Sequence, residues 1–512
     1  MRAFARSLVA ALTWLVASAH VGSPDIWFDG NAGPYRVTVQ VELAGVVPGV
    51  AQVFVRILGD QAQRVTIQAN KFDATGGAPP PEIAERVEGD RVGGLFAGKL
   101  WIMSGGSNSV TVEVSGAKGT GKVVVPVVVA ATRRLELDAT TGIGLSAIGL
   151  FLFVGLVTIV GAAVRESALG PGEAPSGTHR KRARVAMAIT AVVGAALLFG
   201  GWKWWNAEDS GYVRRMFRPL DSKVTVETLT SGAVLNFAIV DSAWVMRGDS
   251  AWLNTHRANA WTPLVEDHGK LMHLFLIRDD LSAMAHLHPR TDDSVSFLSK
   301  LPPTLPPGIY RVFADIVHES GFAQTMVSSL ALGKVSAQDA SGSAGTTDDP
   351  DDSWFTSAPD PGASTVVLGL GGPAMAWEHG DMPIVAGEPA ALRFVITNSD
   401  GSPATLEPYM GMAGHAVVTR DDGSVFVHIH PMGTISIASQ MAFEMRQPSD
   451  TLNGMLGKRI SETQMPDMTH GEAPANVVSF PYAFPKPGRY VVWVQVKQAG
   501  RIFTGAFIAN VA

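Results

Sequence analysis

A repeated β-hairpin constrains the fold of this chain more than any other feature. Residues 272–289 and 414–431 each contain one histidine, twelve intervening residues and then a His-x-His-Pro sequence. An Arg-Asp-Asp sequence lies in the middle of each copy, between apolar and partly β-branched runs. This pattern is typical of two strands joined by a turn. The duplication predicts that one β-folding unit occurs twice.

Strand geometry predicts that each hairpin carries three histidines on one face. Residues i and i+2 of a strand point to the same side, so each His-x-His pair shares a face. A two-residue turn at Asp279-Asp280 sets His273 opposite His286, and a turn one residue later in the second copy sets His415 opposite His430. The candidate metal ligands are therefore His273, His286 and His288, and His415, His428 and His430.

Opposed side chains of this kind are close enough to share one metal ion. Their Cβ atoms lie roughly 5 Å apart across an antiparallel pair. The alternative is that the histidines line a solvated strand face or are hydrogen-bonded inside a β-sandwich. The repetition of both spacing and context favours a metal site in each copy.

Composition excludes several classes of protein. The 512 residues carry a net charge of −6 and only 17% charged residues, which argues against nucleic-acid binding. Cysteine is absent, so disulfides, thiolate metal sites and cysteine nucleophiles are excluded. The sequence contains no evident phosphate loop, paired catalytic carboxylates or nucleophile triad, and it gives no support for a hydrolase or a kinase.

The N-terminus predicts a secretory signal peptide at residues 1–19. Arg2 and Arg6 precede an apolar run, and Ala17-Ser18-Ala19 fits the small-x-small cleavage rule. Cleavage there makes His20 the first mature residue, whose amine and imidazole together suit copper(II). The alternatives are a copper oxygenase-type site at His20 or a histidine that merely follows the cleavage site.

Two apolar stretches, residues 142–164 and 185–205, are long enough to cross a bilayer. The second ends in three tryptophans, which suit a membrane interface. The loop between them, residues 165–184, is basic and predicts a cytoplasmic location by the positive-inside rule. We therefore expect a bacterial inner-membrane protein whose bulk faces the periplasm or cell exterior, in contact with the lipid bilayer. The alternative is two buried core helices.

The remaining segments predict a mainly β protein with three immunoglobulin-like β-sandwich domains plus the two transmembrane helices. Short alternating strands at residues 20–140 predict an extracytoplasmic β-sandwich of roughly seven strands. Residues 206–334 and 365–512 predict the two histidine-hairpin sandwiches, each with a late Pro-Gly-x-Tyr strand. The acidic, Ser- and Gly-rich residues 335–364 predict a flexible linker.

Methionine adds a second type of candidate ligand. Met410 stands where the first copy has His268, five residues before the hairpin histidine, and Met412 is nearby. A long insert after Pro431 contains further methionines. Thioethers suit copper(I), whereas imidazole accepts copper or zinc. The alternative is that these methionines fill an irregular apolar core.

The repeated hairpin with its His-x-His-Pro end resembles domains in bacterial extracytoplasmic proteins of the YtkA-like and CopC-like immunoglobulin-sandwich group. Several of those proteins are associated with copper handling. The resemblance implies that the six hairpin histidines are copper ligands, with Met410 and Met412 as weaker candidates. It covers the two C-terminal domains.

The sequence thus predicts a membrane-anchored metal-binding protein, acting in copper storage, delivery or resistance. An extracytoplasmic protein partner in metal transfer is a further candidate. The competing hypothesis is a structural or interaction protein whose sandwiches serve adhesion or assembly. No residue is predicted to be catalytic in the two hairpins.

Overall fold

The computed structural model describes residues 25–59, 62–72, 77–89, 93–167, 169–170, 172–229, 232–256, 260–334, 347, 349–369, 371–379, 383–463 and 475–512. The fold is mainly β, with 43% strand and 21% helix arranged as several sheets and two long apolar helices. The predicted signal peptide at residues 1–19 and the candidate ligand His20 lie outside the described residues.

The N-terminal region forms one eight-stranded antiparallel sheet with the order β1-β2-β3-β6-β5-β4-β7-β8. Alternating valines on its strands, such as Val37, Val39 and Val41, are fully buried in one apolar cluster to which all eight strands contribute. The strands are β1 (Asp25–Ala32), β2 (Tyr35–Glu42), β3 (Gly49–Ile57), β4 (Ala62–Lys71), β5 (Glu82–Arg86), β6 (Leu95–Ile102), β7 (Gly106–Gly116) and β8 (Gly119–Val129).

Residues 131–217 form a separate unit with two long helices, α1 (Ala139–Glu166) and α2 (Gly177–Arg215). Both are long and apolar enough to cross a membrane, and only 6% and 0% of their most apolar stretches are buried, which argues against core helices. Helix α2 begins earlier than predicted, because Ser176 and His179 form a capping box. Much of the predicted basic loop, including Arg180 and Arg184, is therefore helical.

The first repeat (residues 218–332) contains two sheets that share one apolar core. The sheet order is β14-β10-β9 in one and β11-β15-β12-β13 in the other, with β16 beside β15. The elements are β9 (Ser222–Leu229), β10 (Gly232–Ile239), α3 (Ser242–Val245), α4 (Ser250–His256), β11 (Leu264–Val265), β12 (His273–Arg278), β13 (Met284–Leu287), β14 (Ser296–Lys300), β15 (Gly308–His318) and β16 (Ala323–Leu332).

The second repeat (residues 365–512) has the same plan. Its sheets are ordered β18-β19-β20-β23 and β22-β21-β24-β25. The strands are β18 (Thr365–Val367), β19 (Ala374–Trp377), β20 (Pro389–Thr397), β21 (His415–Arg420), β22 (Phe426–Ile429), β23 (Val477–Ala483), β24 (Gly488–Gln498) and β25 (Arg501–Val511). In both repeats the tyrosine of the Pro-Gly-x-Tyr strand bonds back to the carbonyl four residues upstream, Tyr310 to Pro306 at 2.7 Å and Tyr490 to Lys486 at 2.8 Å.

The prediction of a flexible linker at residues 335–364 is wrong for the second half of that range. Strand β17 (Ser353–Phe355) pairs antiparallel with β13, so that Ser353 lies opposite His286. The ammonium group of Lys270 bonds both carboxylate oxygens of Asp349, at 2.6 and 2.7 Å. We call residues 349–355 the strap. The strap is held by the ion pair with Lys270 and by strand pairing with β13, and composition reveals neither contact. Residues 335–346 lie outside the described part of the chain.

The insert of the second repeat packs against both the N-terminal sheet and the first repeat. Its helices are α5 (Ile437–Met445) and α6 (Met455–Glu462). The segment between β22 and α5 pairs with strand β1, where the amide of Asp29 donates to the carbonyl of Met432 at 2.7 Å. Gly433 has φ +120°, and a Cβ there would lie 2.0 Å from the carbonyl oxygen of Trp27. This contact therefore requires glycine.

Candidate metal centre between the two repeats

The histidine-bearing faces of the two hairpins pack against each other. Leu274 and Leu276 of β12 point into the core of the first repeat, whereas Phe275 and Ile277 point away from it. The outward residues form an apolar cluster with Phe426 and other residues of the second repeat. The ring of Phe426 stacks on Phe313 of the first repeat at a centroid distance of 4.0 Å. Each hairpin thus uses one face for its own core and the other for the partner repeat.

The two hairpins have the same register. Leu274 pairs with Leu287, which places His273 opposite His288 rather than opposite His286 as predicted. The reason is that the turn has four residues, closed by the Arg278 amide and the Ala283 carbonyl at 2.9 Å. In the second repeat, Ala416 pairs with Ile429, which sets His415 opposite His430.

The repeated Arg-Asp-Asp sequence builds the turns. Arg278 donates to Asp280 and to the carbonyl of Pro307, and Arg420 makes the corresponding bonds to Asp422 and Pro487. These arginines and aspartates tie each hairpin to its Pro-Gly-x-Tyr strand. They lie at the turn end of the hairpin, and the histidines lie at the opposite end.

The first histidine group consists of His273, His286 and His288, whose nearest ring nitrogens lie within 4.8 Å of one another. Nε2 of His273 donates to the carbonyl of Asp267 at 3.1 Å, and Nδ1 of His286 lies 3.0 Å from Oε1 of Gln495. A carbonyl oxygen can only accept, so neutral His273 has its single proton on Nε2.

The remaining nitrogens of these two rings face each other. Nδ1 of His273 lies 3.1 Å from Nε2 of His286, and whether the His286 ring carries a proton at this contact depends on its tautomer. Two imidazole ligands on one tetrahedral zinc or similar ion are about 3.3 Å apart. The observed separation is therefore close to that of two ligands sharing an ion.

His288, the third member of the first group, also has one nitrogen that contacts a partner and one that is free to bind an ion. Nδ1 of His288 lies 3.0 Å from Oδ1 of Asp352 in the strap, and its Nε2 is buried without a hydrogen-bond partner. A carboxylate behind a histidine fixes the ring and raises its basicity as a ligand. Asp349 is close enough to form a further group with His288 and Asp352, although it is already paired with Lys270.

The second histidine group crosses between the repeats. His268 of the first repeat joins His415 and His430 of the second. Nδ1 of His268 donates to the Met410 carbonyl at 2.8 Å, and Nδ1 of His430 donates to the Ile435 carbonyl at 3.1 Å. Nε2 of each of these two rings is buried and has no partner, and neither nitrogen of His415 has one.

His428 lies between the two groups. Its ring centroid is 5.3 Å from that of His273 and 4.5 Å from that of His430. Its Nδ1 is 3.7 Å from the carboxylate of Asp315, and its Nε2 is buried without a partner. The seven rings, which we call the histidine cluster, are His268, His273, His286, His288, His415, His428 and His430.

The contacts across the cluster follow a pseudo-twofold relation. Asp315 lies opposite His273 in the first repeat, and Gln495 lies opposite His415 in the second. Gln495 contacts His286 of the first repeat, and Asp315 contacts the equivalent His428 of the second. The two repeats therefore meet as the subunits of a twofold dimer do, with each supplying a polar partner to the histidines of the other.

Burial keeps these histidines neutral. It lowers the pKa of His268 and His430 to about 3, with neighbouring histidines contributing further. The pKa values of His286, His288, His415 and His428 are held well below the ordinary value for the same reason, and that of His273 is lowered. Metal ligation needs the unprotonated ring, so the cluster is in its ligating form at neutral pH.

His318 shows what a structural histidine looks like in this fold. It is fully buried beside Trp244 and stacked on Trp261. Its Nδ1 bonds the Thr262 carbonyl at 3.1 Å, and its Nε2 bonds Gln324 at 2.7 Å. Both of its ring nitrogens are satisfied, in contrast with the members of the histidine cluster.

The methionine candidates are placed differently. Met412 is 1% exposed and belongs to the apolar cluster that contains the N-terminal sheet, together with Met432 and Met441. These three fill a core, as the alternative hypothesis held. Met410 is half-buried, and like His268 it has a left-handed backbone, with φ of 51° against 56°. Met465 and Met468 lie outside the described residues.

Sequence reasoning missed several contributors. His268 was visible only as the residue offset by five from His273, and nothing in a single hairpin assigns it to the other repeat. Asp352 was assigned to a linker, and Gln495 carries no motif. Their roles depend on contacts between residues 64 and 209 positions apart.

Comparisons with known proteins give a family match without a known activity. A model described as a domain of unknown function (DUF8832) matches residues 249–330 and 371–512, which include both hairpins and His268. No curated protein sequence matches the chain.

Solved structures give only weak similarities. An engineered protein is 22% identical over 16% of this chain and 17% of its own, with a TM-score of 0.14. Salmonella alpha-2-macroglobulin reacted with methylamine is 10% identical over 97% of this chain and 24% of its own (TM-score 0.18). The FN1-FN3 domains of chicken CNTN1 are 8% identical over 92% and 97% (TM-score 0.12). The chain thus spans less than a quarter of the first two, and function has to be inferred from the side chains themselves.

Proposed function

We propose that this chain is a membrane-anchored extracytoplasmic protein that binds transition-metal ions in the histidine cluster. Copper is the leading candidate and zinc the second, because buried neutral imidazoles suit both. The proposed role is copper storage, delivery or resistance, with transfer to an extracytoplasmic protein partner. The resemblance to copper-handling sandwich proteins supports the same proposal.

One observation carries this proposal: the ring nitrogens of several cluster histidines are buried without a hydrogen-bond partner, while Nδ1 of His273 and Nε2 of His286 face each other at 3.1 Å. An unpaired buried polar atom costs about 1–3 kcal/mol. Six ring nitrogens of the cluster have no hydrogen-bond partner in the described part of the chain. A shared metal ion would offset that cost, whereas a purely structural role, as for His318, leaves it unexplained.

The proposed location combines the two helices with the charge of the segment between them. The basic residues near the start of α2 favour the cytoplasmic side of the membrane. The start of α1, the end of α2 and both repeats then lie on the outer side. The proposed architecture is three immunoglobulin-like sandwiches and a two-helix anchor. It is supported by the two corner tyrosines, whose bonds to upstream carbonyls resemble those of immunoglobulin-like domains.

The test is metal stoichiometry of the purified full-length protein in detergent. The wild type should retain copper or zinc after dialysis. A quadruple variant, His286→Ala with His288→Ala, His428→Ala and His430→Ala, should lose it. The matched control is His256→Ala, an exposed histidine stacked on Trp252 outside the cluster. Equal metal content in the wild type and the quadruple variant would favour the structural or interaction role instead.

A further inference from the structure

The two histidine groups are neighbours, not independent sites. The ring of His268, in the second group, is 6.0 Å from that of His273, in the first. His428 is 5.4 Å from both His286 and His415, and so adjoins both groups. Two ions held in these groups would be separated by roughly one ring spacing, on the order of 6 Å.

The two groups consist only of imidazoles, which are neutral ligands. Among the described residues, Asp352 lies behind His288, and Asp315 lies near the outer nitrogen of His428. Asp267 is placed differently, because its Oδ1 lies 3.9 Å from Nε2 of His268, the nitrogen of that ring without a hydrogen-bond partner, and also accepts from the amide of Ala438. A single carboxylate on the ligand side leaves most of the direct repulsion between two divalent ions uncompensated.

The size of that repulsion depends steeply on ionic charge. At about 6 Å and an effective dielectric constant of about 20, two singly charged ions weaken each other's binding about 100-fold. Two doubly charged ions under the same conditions weaken it about 10⁸-fold, because the interaction grows with the product of the charges. A second copper(I) therefore remains bindable, whereas a second divalent ion does not.

The charges around the two groups are similar in sum. The first group has Asp352 and Asp349 near His288, with Lys270 paired to Asp349. The second group has Asp267 within 4.0 Å of His268. A single divalent ion can therefore occupy either group and leave the other empty.

Building on the proposed metal-binding function, we propose that the histidine cluster is a single centre that holds two copper(I) ions but only one divalent ion. The single divalent ion occupies one of the two groups and leaves the other empty. The centre thereby discriminates between ions by their charge. This links the number of ions held to the oxidation state of copper, without any change in ligands.

The experiment titrates the full-length protein in detergent with each ion separately. Copper(I) is added without oxygen in competition with a chromophoric copper(I) chelator, and zinc in competition with a zinc-binding dye. We expect two tight equivalents of copper(I), with affinities within about 100-fold of each other, and one tight equivalent of zinc. Two zinc ions of similar affinity, or a single copper(I), would overturn the inference while leaving metal binding intact.

His268→Ala provides the site-specific arm. It should remove one copper(I) equivalent and leave the single zinc, and His256→Ala should leave both stoichiometries unchanged. If His268→Ala abolishes zinc binding as well, the two groups are not alternative sites for the divalent ion and the inference is overturned. Near-ultraviolet circular dichroism shows whether each variant has folded. If His268→Ala has not folded, His268→Gln takes its place. If no ion binds the wild type, the proposed function itself fails.

Discussion

Substitution of Gln495 tests whether the second repeat takes part in the metal site of the first repeat. Oε1 of Gln495 lies 3.0 Å from Nδ1 of His286, and its amide nitrogen donates to the hydroxyl of Ser353 in the strap. Gln495 is fully buried, and it reaches the first histidine group through its bond to His286. Replacing it by alanine removes that bond.

The expected cost has two parts. Loss of an outer hydrogen-bond partner of a ligating histidine lowers metal affinity about 10- to 100-fold, equivalent to about 1–3 kcal/mol. In the metal-free protein, Gln495→Ala leaves Nδ1 of His286 buried and unpaired. Such a group lowers the free energy of unfolding by about 1–3 kcal/mol. Affinity and stability should therefore fall together.

The assay is chelator competition for copper(I) and zinc, combined with chemical unfolding followed by tryptophan fluorescence. Gln495→Glu should restore the acceptor and with it the metal affinity, since the equivalent Asp315 supplies a carboxylate to His428. The matched control is Gln498→Ala on the same strand, whose side chain bonds Asn398 at 2.6 Å away from the cluster. Unchanged affinity in Gln495→Ala, or an equal loss in Gln498→Ala, would refute the cross-repeat assignment.

Three further predictions concern the interface, pH and topology. Phe426→Ala should destabilise the repeat interface by about 3–5 kcal/mol and weaken metal binding, whereas Val427→Ala, on the opposite face of the same strand, should destabilise the second repeat without changing affinity. Because the folded-state pKa of His268 and His430 is about 3, below the unfolded value, their contribution to stability is present above about pH 6.5 and lost below it. Between pH 7.5 and 5 the metal-free wild type should therefore lose about 4 kcal/mol more than His268→Gln with His430→Gln, measured by urea unfolding, and equal losses would contradict the burial argument. A periplasm-active reporter fused at Ser210 should be active and one fused at Ser176 inactive, and the reverse result would invert the proposed orientation.

Strand periodicity allowed much of the local structure to be read from the sequence. The alternation of histidines and apolar residues, with a repeated turn between them, predicted both hairpins and the sharing of one face by three histidines. The apolar stretches predicted two long helices, although the capping box at Ser176 makes α2 longer than the apolar run. These features are local, because they depend on residues within a few positions of each other.

The tertiary structure decided how the histidines are grouped. The sequence predicted one site in each sandwich, but the hairpin strands are buried on both faces, and periodicity does not say which neighbour covers the second face. Packing the two repeats face to face brings His268 to His415 and His430, and Gln495 to His286. The charged strap packs against the first repeat for the same reason, since Asp352 accepts from the backbone amide of His288 and contacts its ring. A local pattern fixes the direction of a side chain, whereas the identity of the opposing group depends on long-range packing.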